Sequence, residues 1–199
     1  MNLMARVKAI LLTPRTEWPV IDGEAATVGS LYTGYIIPLA AIPAVCSFVG
    51  LSLIGVHVMG INIQIPVAAG IKGAIARYLM SLVATYLLAL IIDALAPSFG
   101  GTKSSIGALK VAAYSSTAAW VVGIFSLVPS LSIFGLLGLY SLYLLYLGLP
   151  AVMKSPQEKS MAYTVVVVIC AIVLFILVGW VAGRVTGTTL GAMPTMPTS

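Results

Sequence analysis

Residues 162–183 read AYTVVVVICAIVLFILVGWVAG, without one charged side chain. About 20 apolar residues in a helix cross a hydrocarbon core of roughly 30 Å, and this stretch has that length. It reads as a transmembrane helix. Working outward toward the amino terminus, four more runs of similar character lie at 31–55, 73–95, 106–128 and 130–149. The connection LVPSL between the third and fourth is short enough to force an antiparallel hairpin.

The whole composition agrees. Of 199 residues, 60% are hydrophobic and 8% charged, where a soluble domain carries about 25% charged residues. A mean hydropathy of +1.12 leaves too few polar groups to cover a water-soluble core. The expected fold is an all-α integral membrane protein with five transmembrane helices preceded by an amino-terminal amphipathic surface helix. Residues 1–30 form a cytoplasmic amphipathic segment, 31–185 the five-helix domain, and 186–199 a flexible tail lacking periodicity.

The surface helix is read from LMARVKAILL, residues 3–12. Leu3, Met4, Val7, Ile10 and Leu11 share one face, and Arg6 and Lys8 flank it, where their stems can snorkel toward headgroups. Pro14 ends the helix. The apolar run Ala9–Leu12 is too short for a signal peptide. Trp18 suits an interfacial anchor. Further on, INIQI at 61–65 alternates strictly, as an extended loop would.

Lys and Arg divide unevenly between alternating sides. Arg6, Lys8, Arg15, Lys103, Lys110, Lys154 and Lys159 fall on one, and Lys72, Arg77 and Arg184 on the other. The positive-inside rule then places the amino terminus in the cytoplasm and the carboxyl terminus outside. The net charge of +5 is spread singly, so no nucleic-acid partner is expected. Cys46 and Cys170 sit in apolar runs as buried thiols, and His57 has no ligand at metal-binding spacing. No catalytic motif, metal site or cofactor site stands out.

Charges within hydrocarbon are costly, so Asp93 and Lys110, at the cytoplasmic ends of the second and third helices, are expected to pair. Hydration at the interface and a proton or ion relay are the alternatives. Ala108, Ala112, Ser116, Ala119 and Gly123 form a small-residue stripe on the third helix, expected to pack against the fourth. Tyr114, Ser116, Tyr140 and Tyr143 are candidates for helix packing or for a conduit. Tyr140 and Tyr143 are expected to bond Ser115, Ser116 or Thr117. Lys154 and Lys159 join Arg6, Lys8 and Trp18 as candidate membrane-surface contacts, with lipids, another membrane protein or a second copy as partner.

AAYSSTAAWVVGIFSLVP, LYSLYLLYLGLPAVMKSPQEKSMAYT and the early LLTPRTEWPVIDGEAATVGSLYTGYIIPLAAIPA resemble bacterial members of the Yip family, the Ypt/Rab-interacting proteins. The fourth-helix pattern lies at Tyr140, Tyr143, Gly148, Leu149, Pro150, Lys154, Pro156 and Lys159. Such proteins follow the third-helix Tyr-Ser step with Thr-Pro. Here Ala118 follows Thr117, so a kink is not expected. The resemblance implies five membrane helices and a cytoplasmic amino terminus. The longer cytosolic region with which eukaryotic relatives engage Rab-type GTPases has no counterpart in residues 1–30, so no Rab partner is expected.

Two readings of function follow. One is a non-enzymatic inner-membrane protein that organises lipids or partner membrane proteins. The other is a small transporter or channel.

Overall fold

The computed structural model describes residues 2–58 and 61–186. Two short helices, α1 (Leu3–Leu12) and α2 (Pro14–Gly23), precede five long ones. These are α3 (Val28–Ile54), α4 (Val67–Phe99), α5 (Ser105–Leu127), α6 (Ile133–Met153) and α7 (Gln157–Thr186). Each of the five is long and apolar enough to cross a membrane. The architecture is all-helical apart from one small hairpin. There, β1 (Val56–Val58) pairs antiparallel with β2 (Ile61–Ile63), inside the stretch whose alternation predicts extended chain. The tail from residue 187 onward lies outside the described residues.

α5 is the central helix. Sixty-one per cent of its apolar window is buried, against 39% or less for the others. Its small residues make this possible, because without large side chains neighbouring backbones approach closely. The stripe does not face α6 alone, as its spacing suggests. Ala119 lies against α6, accepting close approach from Gly138, while Gly123 lies against Pro43 of α3. A Cβ at Gly123 would sit 2.5 Å from the Pro43 ring. One stripe therefore serves two neighbours.

The bend lies at Ser116, where the helix expected to be unkinked breaks in two. No proline is needed. The Ser115 and Ser116 hydroxyls both donate to Ala112 O, and Thr117 Oγ1 donates to Tyr114 O at 2.8 Å. Three consecutive hydroxyls competing for main-chain carbonyls loosen the ladder. Beyond the break the helix tightens into a 3₁₀ segment, Gly123–Leu127.

α4 shows both environments along one element. Its first half exposes Ile71, Ile75, Leu79 and Val83, a stripe at four-residue spacing that suits lipid. Its second half buries Thr85, Leu88, Ala89, Ile92 and Asp93 against the bundle. α1 and α2 fold beneath this end of the molecule. It is the same end at which Thr102 N–H donates to Met153 O, so the α4–α5 and α6–α7 connections meet there.

Candidate functional site

α1 docks on the bundle and does not lie free on a surface. Leu3, Arg6, Val7 and Ile10, at spacings of three and four, turn inward, and Arg6 is only 3% exposed. Met4, Lys8 and Leu12 form the outward stripe. Lys8 is thus exposed, whereas Arg6 is not. A guanidinium this deep needs compensation. Arg6 Nη1 donates to Glu17, Nη2 donates to Glu24, and the group lies 5.7 Å from the centre of the Tyr114 ring. Burial opposes its charge. The hydrogen bond and charge of Glu24, with Tyr114 and Glu17 behind them, outweigh that and hold Arg6 above its usual pKa.

Trp18 is likewise not an interfacial anchor. It is 1% exposed, edge-on to Tyr114 at 6.4 Å, and packed on α6 at Gly148. A Cβ at Gly148 would come within 2.7 Å of the indole, so glycine there lets α2 seat.

Asp93 and Lys110 do not pair. Asp93 Oδ1 accepts from Ser104 N–H at 2.8 Å and Oδ2 from Ser105 Oγ at 3.2 Å, closing the start of α5. Carboxylates suit that place, since helix starts carry unpaired N–H groups and partial positive charge. Lys110 Nζ turns the other way and donates to Ile21 O at 2.7 Å, Asp22 O at 3.2 Å and Glu24 O at 2.6 Å. It caps the carboxyl end of α2, whose carbonyls have no partners within the helix. Each charge found a backbone end nearer than the other charge.

The tyrosines hold helices together, though with other partners than the sequence suggests. Tyr140 O–H donates to Leu11 O, tying α6 to α1. Tyr143 is partly exposed beside Tyr140, their rings 5.4 Å apart. The partner of Thr117 is Tyr35 of α3, at 2.7 Å. Because Thr117 spends its proton on Tyr114 O, Tyr35 is the donor. The Tyr35 and Tyr114 rings touch at 4.5 Å, so Tyr114 links α3, α5, Trp18 and Arg6. Ser116 stays within its own helix.

Lys154 ends α6 in the left-handed conformation, with φ 56°, and its Nζ donates to Asp22 Oδ2. Lys159 is exposed. The residues missed from sequence are thus Glu17, Asp22 and Glu24. Their clustering was the available signal: three of the chain's five acids fall within eight residues, next to a helix carrying Arg6.

A second feature lies near the opposite end, on the side of the bundle. A cavity of about 960 Å³ opens between α3, α4 and α7, walled by Phe48, Leu51, Met80 and Phe175. Lys72 and Arg77 line it. Arg77 Nη1 donates to Ser47 Oγ at 2.8 Å, and Lys72 has no hydrogen-bond or ion-pair partner among the described residues. No acid lies near. Asp93, on the same helix, is 16 residues or about 24 Å farther along.

A bundle of five long apolar helices with an amino-terminal helical pair tucked under one end defines a polytopic membrane protein. The chain belongs to the Yip1 domain family, whose model matches residues 8–180. It is similar to the inner membrane protein YohC of Escherichia coli K12, with 26% identity over 166 residues, covering 81% of this chain and 85% of the relative. The same identity and coverage hold for YohC of Escherichia coli O6:H1. No solved structure matches.

Proposed function

We propose that this is a non-enzymatic inner-membrane protein that binds anionic phospholipid and so organises its lipid surroundings. The observation that carries this reading is the lateral cavity. It offers apolar walls for acyl chains and two cations, Lys72 and Arg77, that no carboxylate among the described residues neutralises. They stand five positions apart, so Arg77 lies about 7.5 Å deeper along the helix, and Lys72 sits nearer the headgroups. Arg6, Glu17, Glu24, Asp93 and Lys110 are engaged in holding the fold, which leaves little acid–base capacity for chemistry. Neither Asp93, Lys110, Tyr140 nor Tyr143 lines the lateral cavity, so the residues a conduit would use are not gathered there. The inner membrane is suggested by the name of the YohC relative.

Mass spectrometry of the protein released from mixed nanodiscs tests this. Anionic phosphatidylglycerol should be retained over phosphatidylcholine. Lys72→Ala with Arg77→Ala should weaken that retention about thirty-fold, at roughly 1 kcal/mol per basic group. Equal retention by the double variant would remove the cavity from the account. Protein-dependent ion flux in liposomes, abolished by Asp93→Asn, would favour a conduit instead.

In this reading the amino terminus is cytoplasmic and the carboxyl terminus outside, because the helical pair, Lys103, Lys154 and Lys159 gather at one end. Alkaline phosphatase fused after Ser199 is expected to be active and a fusion at Gly101 inactive. The reverse pattern would invert the topology.

A further inference from the structure

A second cavity, of about 540 Å³, lies where α2 meets the end of α6 and the start of α7. Arg15, Trp18, Tyr146, Pro150, Ser155 and Gln157 line it. Among the described residues, three buried side-chain polar atoms have no hydrogen-bond partner: Trp18 Nε1, Ser52 Oγ and Ser155 Oγ. Two of the three belong to the walls of this cavity. Trp18 is 1% and Ser155 5% exposed. Leaving a buried polar group unpaired is costly, so two around one space need a common explanation.

The available groups share one sign. An indole N–H only donates, and a serine hydroxyl donates readily. The Arg15 guanidinium is exposed and has no acidic partner among the described residues. Gln157 adds an amide and opens α7, a 30-residue helix whose first N–H groups lack intrahelical partners and carry partial positive charge. Ser160 also lines the cavity, but its hydroxyl donates to Pro156 O. No acid is part of the wall: Glu158, next to Gln157, is exposed, while Glu17, next to Trp18, is held by Arg6. Lys154, one residue before Ser155, is engaged by Asp22.

We propose that this cavity binds a phosphoryl group, presented by a lipid phosphate monoester or by free phosphate. Arg15 supplies the charge, Trp18 Nε1 and Ser155 Oγ donate from the inner wall, and the start of α7 faces the anion. The site deepens the lipid-binding reading, yet it shares no residue with the lateral cavity, so each can fail alone.

The full chain in neutral nanodiscs is titrated with inorganic phosphate, and in parallel phosphatidic acid is incorporated at increasing fraction. Saturable stabilisation against thermal unfolding is expected. Arg15→Ala and Ser155→Ala should each weaken the apparent affinity at least ten-fold, and Lys72→Ala/Arg77→Ala should leave it unchanged. A response to phosphatidic acid alone assigns the lipid headgroup, and a response to both assigns the free anion as sufficient. Arg15 is exposed and Ser155→Ala removes one atom, so both variants keep the fold. If neither probe stabilises the protein, or if both variants respond as the parent does, the proposal is overturned. The same holds if Ser155→Ala raises stability equally with and without the probes, since its hydroxyl is then merely a buried cost.

Discussion

Arg6→Met is expected to destabilise the protein by about 3–5 kcal/mol, because it removes one partner from a buried ion network and leaves the others charged. Glu17, 8% exposed, would lose its counter-ion inside the fold, and Glu24 would lose its link to α1. Methionine keeps most of the stem volume, so the loss reports charge and hydrogen bonding more than packing. The midpoint of denaturation by sodium dodecyl sulfate in mixed micelles measures it, and trypsin cleavage at Lys8 and Arg15 reports release of α1 and α2. Adding Glu17→Gln and Glu24→Gln should recover a large part of the loss. An unchanged midpoint with unchanged proteolysis would mean that the helical pair is not held by this network. Arg6 itself brings no pH dependence to such an experiment under ordinary conditions. Its folded pKa is raised, so its contribution is fully present below the already high unfolded value and is lost only above the folded one.

Lys110→Met should cost about 3 kcal/mol, since three main-chain carbonyls at the end of α2 would lose one charged donor together. The effect should appear first as detachment of α2, with Arg15 becoming cleavable while α3 to α7 stay folded. Arg6 and Lys110 share Glu24, the first through its carboxylate and the second through its carbonyl. Their double variant should therefore show coupling of about 0.5–3 kcal/mol in a double-mutant cycle. Strict additivity would show two independent attachments.

These outcomes bear on what the amino-terminal pair does. Tyr140 O–H on Leu11 O, Lys154 on Asp22 and the Trp18 ring on Gly148 join α6 to the same two helices. α1 and α2 are thus part of the folded domain, fastened at several points, and they present Lys8 and Arg15 outward from a fixed platform. A free amphipathic helix would search the headgroup region. A docked one holds its cations at set positions, with Arg15 in the wall of the phosphoryl site proposed above.

The five spans were legible from composition and length alone. Bilayer thickness sets how many apolar residues a helix needs, and that requirement is local to each segment. The extended stretch around residues 61–63 and the helix over residues 3–12 were readable for the same reason, from periodicity within a few residues. The rotation of α1 was only half readable. Arg6 stands four residues before Ile10 and so shares its face, but a charge on an apolar face reads as a snorkelling group until its counter-ions are known. Those counter-ions, Glu17 and Glu24, come from 11 and 18 residues away across a chain reversal. Asp93 and Lys110 failed as a pair because proximity along the membrane normal says nothing about which way a helix is turned. In the folded chain, the start of α5 and the end of α2 each offered unpaired backbone groups closer at hand. The two cavities had no signal in the sequence, since their walls come from α3, α4 and α7 in one case and α2, α6 and α7 in the other. Membrane insertion is decided segment by segment, by transfer free energies that each segment carries itself. The pairing of charges, hydroxyls and donors is decided through space, and only the packed helices bring those groups within bonding distance.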